Sequence, residues 1–301
     1  MDVAVTGSSG LIGTALVTAL EAGGHRVRRV VRRRPEGPDE LRWDPEGGTI
    51  DTVALAGVDA VVHLAGEGIA SRRWTDEHKR SIVRSRTTGT ELMATTIARL
   101  EPRPAVLISG SAIGFYGDRG DDEITEEDRA GDDFLARVCV AWEAATQPAV
   151  EAGIRTAVVR TGIVLDAGGG ALARMLPLFR LGLGGRLGHG RQWWPWITLD
   201  DHVGAIIHLL GADVSGPVNL TAPNPATNAE LTTTLGRVLN RPTVFPVPRL
   251  GPRLLLGREL AQSLLYSSAR VLPTRLERSG YAFRHPELEP ALRAVVGTPA
   301  S

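Results

Sequence analysis

Nine residues near the N-terminus carry the clearest chemistry. Val5-Thr6-Gly7-Ser8-Ser9-Gly10-Leu11-Ile12-Gly13 follows a short β-rich run and opens a helical pattern. Strand, tight turn and helix start, in that order, form the arrangement that holds a dinucleotide pyrophosphate. Gly7 permits the turn, Gly10 lets the backbone approach the phosphates, and Gly13 allows close helix–strand packing. Ser9, Leu11 and Ile12 complete the loop, whose helix N-terminus offers N–H groups and a positive dipole to an anion. The end of the next strand selects the cofactor. It reads Val30-Val31-Arg32-Arg33-Arg34, with no acid before Glu36. An acid there binds the ribose 2′-hydroxyl of NAD, whereas an arginine pairs with the 2′-phosphate of NADP. The reading is an NADP(H) site, with Val31, Arg32 and Arg33 at its adenosine end.

Further motifs join this loop. His63-Leu64-Ala65-Gly66, and Ser109-Gly110-Ser111 leading to Tyr116-Gly117, resemble the extended short-chain dehydrogenases/reductases, the nucleotide-sugar epimerase superfamily. Leu64-Ala65-Gly66-Glu67, Arg73-Trp74, Ser85-Arg86, Trp142-Glu143, Arg160-Thr161-Gly162 and Pro195-Trp196-Ile197 are similar to an atypical branch of it, the epimerase family proteins. Gly280-Tyr281, Phe283, Pro286 and Leu288 resemble that branch's small C-terminal domain of unknown function. The resemblance implies a Rossmann-type fold and further cofactor contacts. Leu64, Ala65 and Gly66 would pass the adenine ribose and pyrophosphate. Arg86 would reach a ribose or phosphate, Ser109 would lie on the cofactor side, and Val164 would touch the nicotinamide end.

The family's usual catalytic pair is Tyr-x-x-x-Lys, in which lysine and ribose lower the tyrosine pKa. This chain lacks it. Tyr116, Tyr266 and Tyr281 are followed four residues later by Gly120, Arg270 and His285, and the single lysine, Lys79, follows Thr75. Three polar groups are candidate replacements. Ser111 would hydrogen-bond a substrate oxygen, Tyr116 would donate a proton, and Glu143 would act as a base if burial raised its pKa. On the substrate side, Trp194 stands where sugar-nucleotide epimerases carry a pyrophosphate-binding arginine. With Trp193 and Trp196 it predicts an apolar, stacking surface.

The elements that must position these groups alternate. Strands are expected at Val3–Thr6, Arg26–Val31, Ala60–Leu64, Ala105–Ser109, Thr156–Arg160 and Val218–Leu220. Helices are expected at Leu11–Ala22, Trp74–Leu100, Phe134–Ala152 and Leu199–Leu210. Such alternation predicts an α/β fold, a doubly wound parallel sheet covered on both faces. Glycines at 168–170 and 182–190 suggest loops over a ligand. Prolines recurring from Pro242 to Pro252 suggest a boundary. The expected organisation is a nucleotide-binding domain over residues 1–225 and a small helical unit over 246–298 that completes the substrate side.

The 301 residues carry 34 basic and 34 acidic side chains, which argues against bulk affinity for nucleic acid or anionic membrane. One cysteine, Cys139, excludes an intrachain disulfide and a cysteine zinc site. His63, His189 and His202 show no metal spacing, so no metal is expected. No apolar run reaches the ~18 residues of a membrane span, and the start lacks a basic signal region, so the expected compartment is the cytoplasm. Monomer and homodimer both stay open. Two functional readings remain. One is an NADP(H)-dependent oxidoreductase or epimerase-like enzyme for a small carbonyl or alcohol substrate. The other is a catalytically reduced NADP(H)-binding sensor or regulator.

Overall fold

The computed structural model describes residues 1–297; Thr298, the last residue of the expected C-terminal unit, lies outside them. The chain opens with β1 (Asp2–Thr6), α1 (Leu11–Ala22) and β2 (Arg26–Val31). A β3 (Glu40–Asp44) and β4 (Thr49–Ile50) hairpin follows, then α2 (Thr52–Leu55), β5 (Ala60–His63), α3 (Asp76–Ala98) and β6 (Val106–Ala112). Next come β7 (Glu123–Ile124), α4 (Phe134–Ala144), α5 (Gln147–Glu151), β8 (Arg155–Thr161), β9 (Ile163–Leu165) and α6 (Gly170–Arg180). The remainder is β10 (Trp193–Trp194), β11 (Trp196–Thr198), α7 (Leu199–Gly211), β12 (Gly216–Leu220), β13 (Ala226–Thr227) and α8 (Asn228–Val238). The tail holds α9 (Leu250–Leu256), α10 (Arg258–Ala261), β14 (Arg270–Val271), α11 (Thr274–Arg278) and α12 (Leu288–Val296).

The main sheet runs β12-β8-β6-β5-β1-β2-β3-β4, and every pairing in it is parallel except β3 with β4. The expected doubly wound Rossmann sheet is therefore present. Both faces are covered, and the strand residues divide between them with a period of two. Val3, Val5, Val62, Ile108 and Val159 pack with Leu16 and Leu20 of α1 and Ile206 and Leu209 of α7. Ala4, Val61 and Leu107 pack on the other face with Met93 and Ile97 of α3 and Ala149 of α5. The strands end together at the edge where β1 meets the glycine loop and β6 runs into the Ile113–Tyr116 turn.

Three local expectations needed correction. The Phe134–Ala152 helix is two helices, because Pro148 sits in the first turn of α5. Inside a continuous helix its ring would clash with the preceding turn and its missing N–H would break the ladder. The β3–β4 hairpin was not expected; its alternation is short, with Leu41 and Trp43 buried and charged residues between and beside them. The tail is not purely helical, since β14 pairs with β7 in parallel.

The tail is tied to the sheet domain by a buried carboxylate. Asp201, in the first turn of α7, accepts from the Tyr281 hydroxyl at 3.0 Å and from the backbone N–H groups of Arg284 and His285 at 2.8 and 2.9 Å. Apolar packing adds to this, with Ala291 and Leu292 of α12 in one core with Leu231 and Leu235 of α8 and Leu172 and Leu176 of α6. Among the described residues no helix is long and apolar enough to cross a membrane.

Candidate functional site

The glycine loop forms the cradle its spacing predicts. Gly7 has φ +68°, which favours glycine, and a Cβ there would press on the Leu64 backbone at 2.9 Å. A Cβ on Gly13 would collide with the Gly7 carbonyl oxygen, so this glycine is required by packing. Gly10 is different. A Cβ there meets only the Gly7 oxygen at 3.4 Å, and Ser9 and Gly10 are exposed, so no protein group fills the space in front of them. The α1 N-terminus has no side-chain cap and no acid in its first turn, leaving its N–H groups and dipole available to an anion. These features fit a dinucleotide pyrophosphate.

The neighbouring segments refine the expected contacts. The N–H groups of Leu64 and Ala65 donate to the Thr6 hydroxyl at 3.0 and 3.1 Å, so neither is a free donor for a ligand. Gly66 lies against Arg86, whose guanidinium would be 3.5 Å from an added Cβ. Arg86 donates to the Glu67 and Ile82 carbonyls and lies over the Trp142 ring at 4.8 Å. Glu67 turns instead to Ser81, Arg72 and His78. Arg86 is thus a largely buried cation that no carboxylate pairs with directly among the described residues, and burial lowers its pKa. At the end of β2, Val31 is half-buried. Arg33 forks onto Glu40 at 2.6 and 2.8 Å and reaches Glu36 at 3.2 Å. It is neutralised by its own neighbours, which corrects its expected phosphate role. Arg32 is exposed, and no carboxylate pairs with it among the described residues. Ser109 is fully buried in β6 opposite His63, and its hydroxyl has no partner among the described residues. Val164 is half-buried in β9, beside Ile197 of β11.

A pocket of about 320 Å³ opens past the ends of β6 and β8. Its walls are Ala112–Gly114, the α4 face bearing Leu135, Cys139 and Trp142, the Thr161–Ile163 bend, Trp193–Pro195 and the Ser263–Ala269 segment. The Asp133 side chain positions α4 by accepting from the Ala136 N–H at 2.8 Å. Burial pushes the Cys139 thiol up to about 11, so it is a poor nucleophile here. Trp193 and Trp194 line this pocket. Trp196 does not; it is fully buried and donates its indole N–H to the Asn224 carbonyl.

The three expected catalytic groups are joined, but not around an open substrate position. Ser111 donates to Glu143 at 2.7 Å. Arg160, 3% exposed, forks onto the two Glu143 oxygens at 2.9 Å each and donates to the Tyr116 hydroxyl at 2.9 Å. Tyr116 in turn donates to Asn219 Oδ1 at 2.7 Å. Asn219 carries the chain into the tail by donating to the Leu272 carbonyl. Tyr116 is fully buried, and burial pushes its pKa up to about 12. Its expected role as a substrate-facing acid is therefore corrected, because the hydroxyl is spent between Arg160 and Asn219. Neither Ser111 nor Glu143 is among the residues that line the pocket, although Ser111 precedes Ala112, which does. The sequence reading missed Arg160 and Asn219 as members of this network. The available signal was an arginine ending an otherwise apolar buried strand, which demands a partner.

Fold and glycine loop together define a Rossmann-type protein with a dinucleotide-binding architecture, and its C-terminal part contributes Ser263–Ala269 to the pocket wall. The sequence profile of the NAD dependent epimerase/dehydratase family matches residues 3–221, and a domain of unknown function, DUF1731, matches residues 247–295. The chain belongs to the NAD dependent epimerase/dehydratase family. It is 48% identical over 96% of both chains to epimerase family protein MT2273 of Mycobacterium tuberculosis. It is 39% identical to human epimerase family protein SDR39U1, over 98% of this chain and all of that one. A crystal structure of human SDR39U1 (isoform 2) with NADPH superposes with a TM-score of 0.91 at 38% identity, covering 98% of this chain and 99% of that one. The family expected from the motifs is thereby established.

Proposed function

We propose that the protein is an NADP(H)-dependent oxidoreductase or epimerase-like enzyme acting on a small carbonyl or alcohol substrate. The observation that carries the cofactor choice is Arg32, exposed and free of any acid at the end of β2. The human relative's structure with NADPH supports it. Residues 1–225 act as the nucleotide-binding domain and 246–298 as the unit that closes the substrate side. Gly7, Ser9, Gly10, Leu11, Ile12 and Gly13 would hold the pyrophosphate, Arg32 the 2′-phosphate, and Gly66, Arg86 and Val164 the inner half. The cofactor would supply hydride chemistry at its nicotinamide C4. The chain's own task is to orient the substrate, exclude water and handle a proton. Ser111 and Glu143, fixed by Arg160, are the proton-handling pair nearest the pocket wall.

One observation favours the second reading, an NADP(H)-binding sensor or regulator. The α4 face toward the pocket presents Leu135, Val138, Cys139 and Trp142, and none of them is a ready acid or base at neutral pH. NADPH oxidation measured against a panel of small aldehydes and ketones separates the two. Turnover that is abolished in Gly10→Val supports the enzyme, and tight NADPH binding with no turnover supports the sensor.

A further inference from the structure

The walls of the pocket identify the chemistry that can enter it. Its charged lining side chains are Arg86 and Asp133. Arg86 lies against Gly66, on the side proposed for the cofactor, with Nη1 donating to backbone carbonyls and its guanidinium over the Trp142 ring. Asp133 is occupied by the start of α4 and lines both this pocket and an adjoining groove. Among the described residues the end facing Trp193 and Trp194 therefore has no free cation, since Arg270, stacked on the Trp193 ring at 4.9 Å, pairs with Glu123. A phosphate or carboxylate buried there would lose its hydration without a partner, which burial of a charge strongly penalises. The adjoining groove does not repair this, because its arginines, Arg137, Arg253 and Arg258, lie among four acids.

Two of the three lining indoles present hydrocarbon rather than donors, and the third, Trp194, keeps a buried N–H that has no partner among the described residues. Trp142 spends its N–H on the Thr90 hydroxyl at 3.0 Å, and Trp193 spends its own on Asp121 at 3.0 Å. Leu135, Val138, Ile163 and Leu264 supply the rest of the apolar lining. Aromatic faces of this kind favour offset stacking with a flat ring. The hydroxyls of the lining are nearly all engaged. Thr161 pairs with His202, Ser267 donates to the Gln262 carbonyl, and Ser268 donates to the Gly120 carbonyl. Ser263 is half-buried, and its hydroxyl makes no hydrogen bond among the described residues.

We infer that this pocket takes a flat, uncharged, mainly hydrocarbon carbonyl compound, its oxygen met by the Ser263 hydroxyl, in preference to sugar nucleotides. The inference rests on the reading of the protein as an NADP(H)-dependent enzyme for a small carbonyl, and names the substrate class within it.

The test uses the full chain loaded with NADPH and the probe 4′-fluoroacetophenone, followed by fluorine NMR. Saturable broadening of the probe is expected, with no displacement by UDP-glucose. Trp193→Ala should weaken the probe at least tenfold while NADPH affinity stays within twofold. Ser263→Ala should weaken the ketone severalfold and leave binding of 1-ethyl-4-fluorobenzene, which lacks the oxygen, unchanged. UDP-glucose that displaces the probe or binds more tightly than it overturns the inference, as does a wild-type protein that binds no ketone. The two levels separate cleanly. Ketone binding without NADPH consumption removes the enzymatic reading and leaves the pocket's ligand class standing. NADPH consumption with UDP-glucose but not with aryl ketones removes the ligand class and leaves the enzymatic reading.

Discussion

Arg32 and Arg33 are adjacent in sequence and identical in type, yet their surroundings give them different work. Arg33 is held by Glu40 and Glu36, whereas Arg32 projects without an acid partner. Arg32→Ala should therefore weaken NADPH by about 1–3 kcal/mol, the scale of a charge-assisted hydrogen bond left unmade. NADH affinity should hardly change. Calorimetric titration of both cofactors checks this, and equal losses for both would falsify the assignment. Tyr116 invites a different expectation. Its hydroxyl bridges Arg160 and Asn219 inside the protein, so Tyr116→Phe leaves buried polar groups short of a partner. The variant should lose about 1–3 kcal/mol of stability in urea unfolding. Its turnover should fall less than tenfold, and a loss of a hundredfold or more would restore the phenol as the reacting acid.

At the scale of elements, the joint between α7 and the tail depends on Asp201. Its oxygens accept from Thr198, Tyr281 and two backbone N–H groups, and it is 1% exposed. Asp201→Ala leaves those donors unpaired at about 1 kcal/mol or more apiece. Because the donors at 281–285 belong to the tail, local release should precede global unfolding. Limited proteolysis should cut the variant within residues 246–297 under conditions where the wild type is intact. Cleavage in the N-terminal half first would show that Asp201 is not the joint. The β6–α4 layer is coupled to the same tail through Asn219 and Leu272, so ketone binding should weaken in this variant while the α1 cradle keeps its cofactor.

The whole molecule carries an acid sensitivity in its core. His63 and His202 are fully buried, and burial alone pushes each down to about 4 from an ordinary 6.5. His63 meets the Thr6 hydroxyl and the edge of Trp43, and His202 meets Thr161; none of these supplies a negative charge. A folded-state pKa below the unfolded one means that the unfolded chain takes up the proton first. The associated stability is present above pH 6.5 and is lost as pH falls toward 4, by up to about 3 kcal/mol per histidine. Urea midpoints at pH 7, 5.5 and 4.5 should fall in that order, and more gently in His63→Gln. A flat profile over this window would show that the imidazoles gain a proton without cost. At the alkaline end, Tyr116 raised to about 12 removes stability as pH climbs from 10 toward 12.

What could be read from the sequence was local. The glycine loop was legible because turn geometry, backbone approach and helix start are set by residues within one short segment. The parallel sheet was legible because apolar strand runs alternating with helix periods admit few other arrangements. The missing Tyr-x-x-x-Lys pair needed only counting. The tertiary structure decided the rest, because burial and partnership are made by residues far apart in the chain. Trp194 lines a pocket and Trp196 fills a core, though two positions separate them on strands of different pairing. Ser111, Tyr116, Glu143, Arg160 and Asn219 span more than a hundred positions and meet where β6, α4, β8 and β12 converge. No spacing rule reports that Tyr116 turns inward there, because the choice between pocket and interior is made by the partners that the fold brings to its hydroxyl.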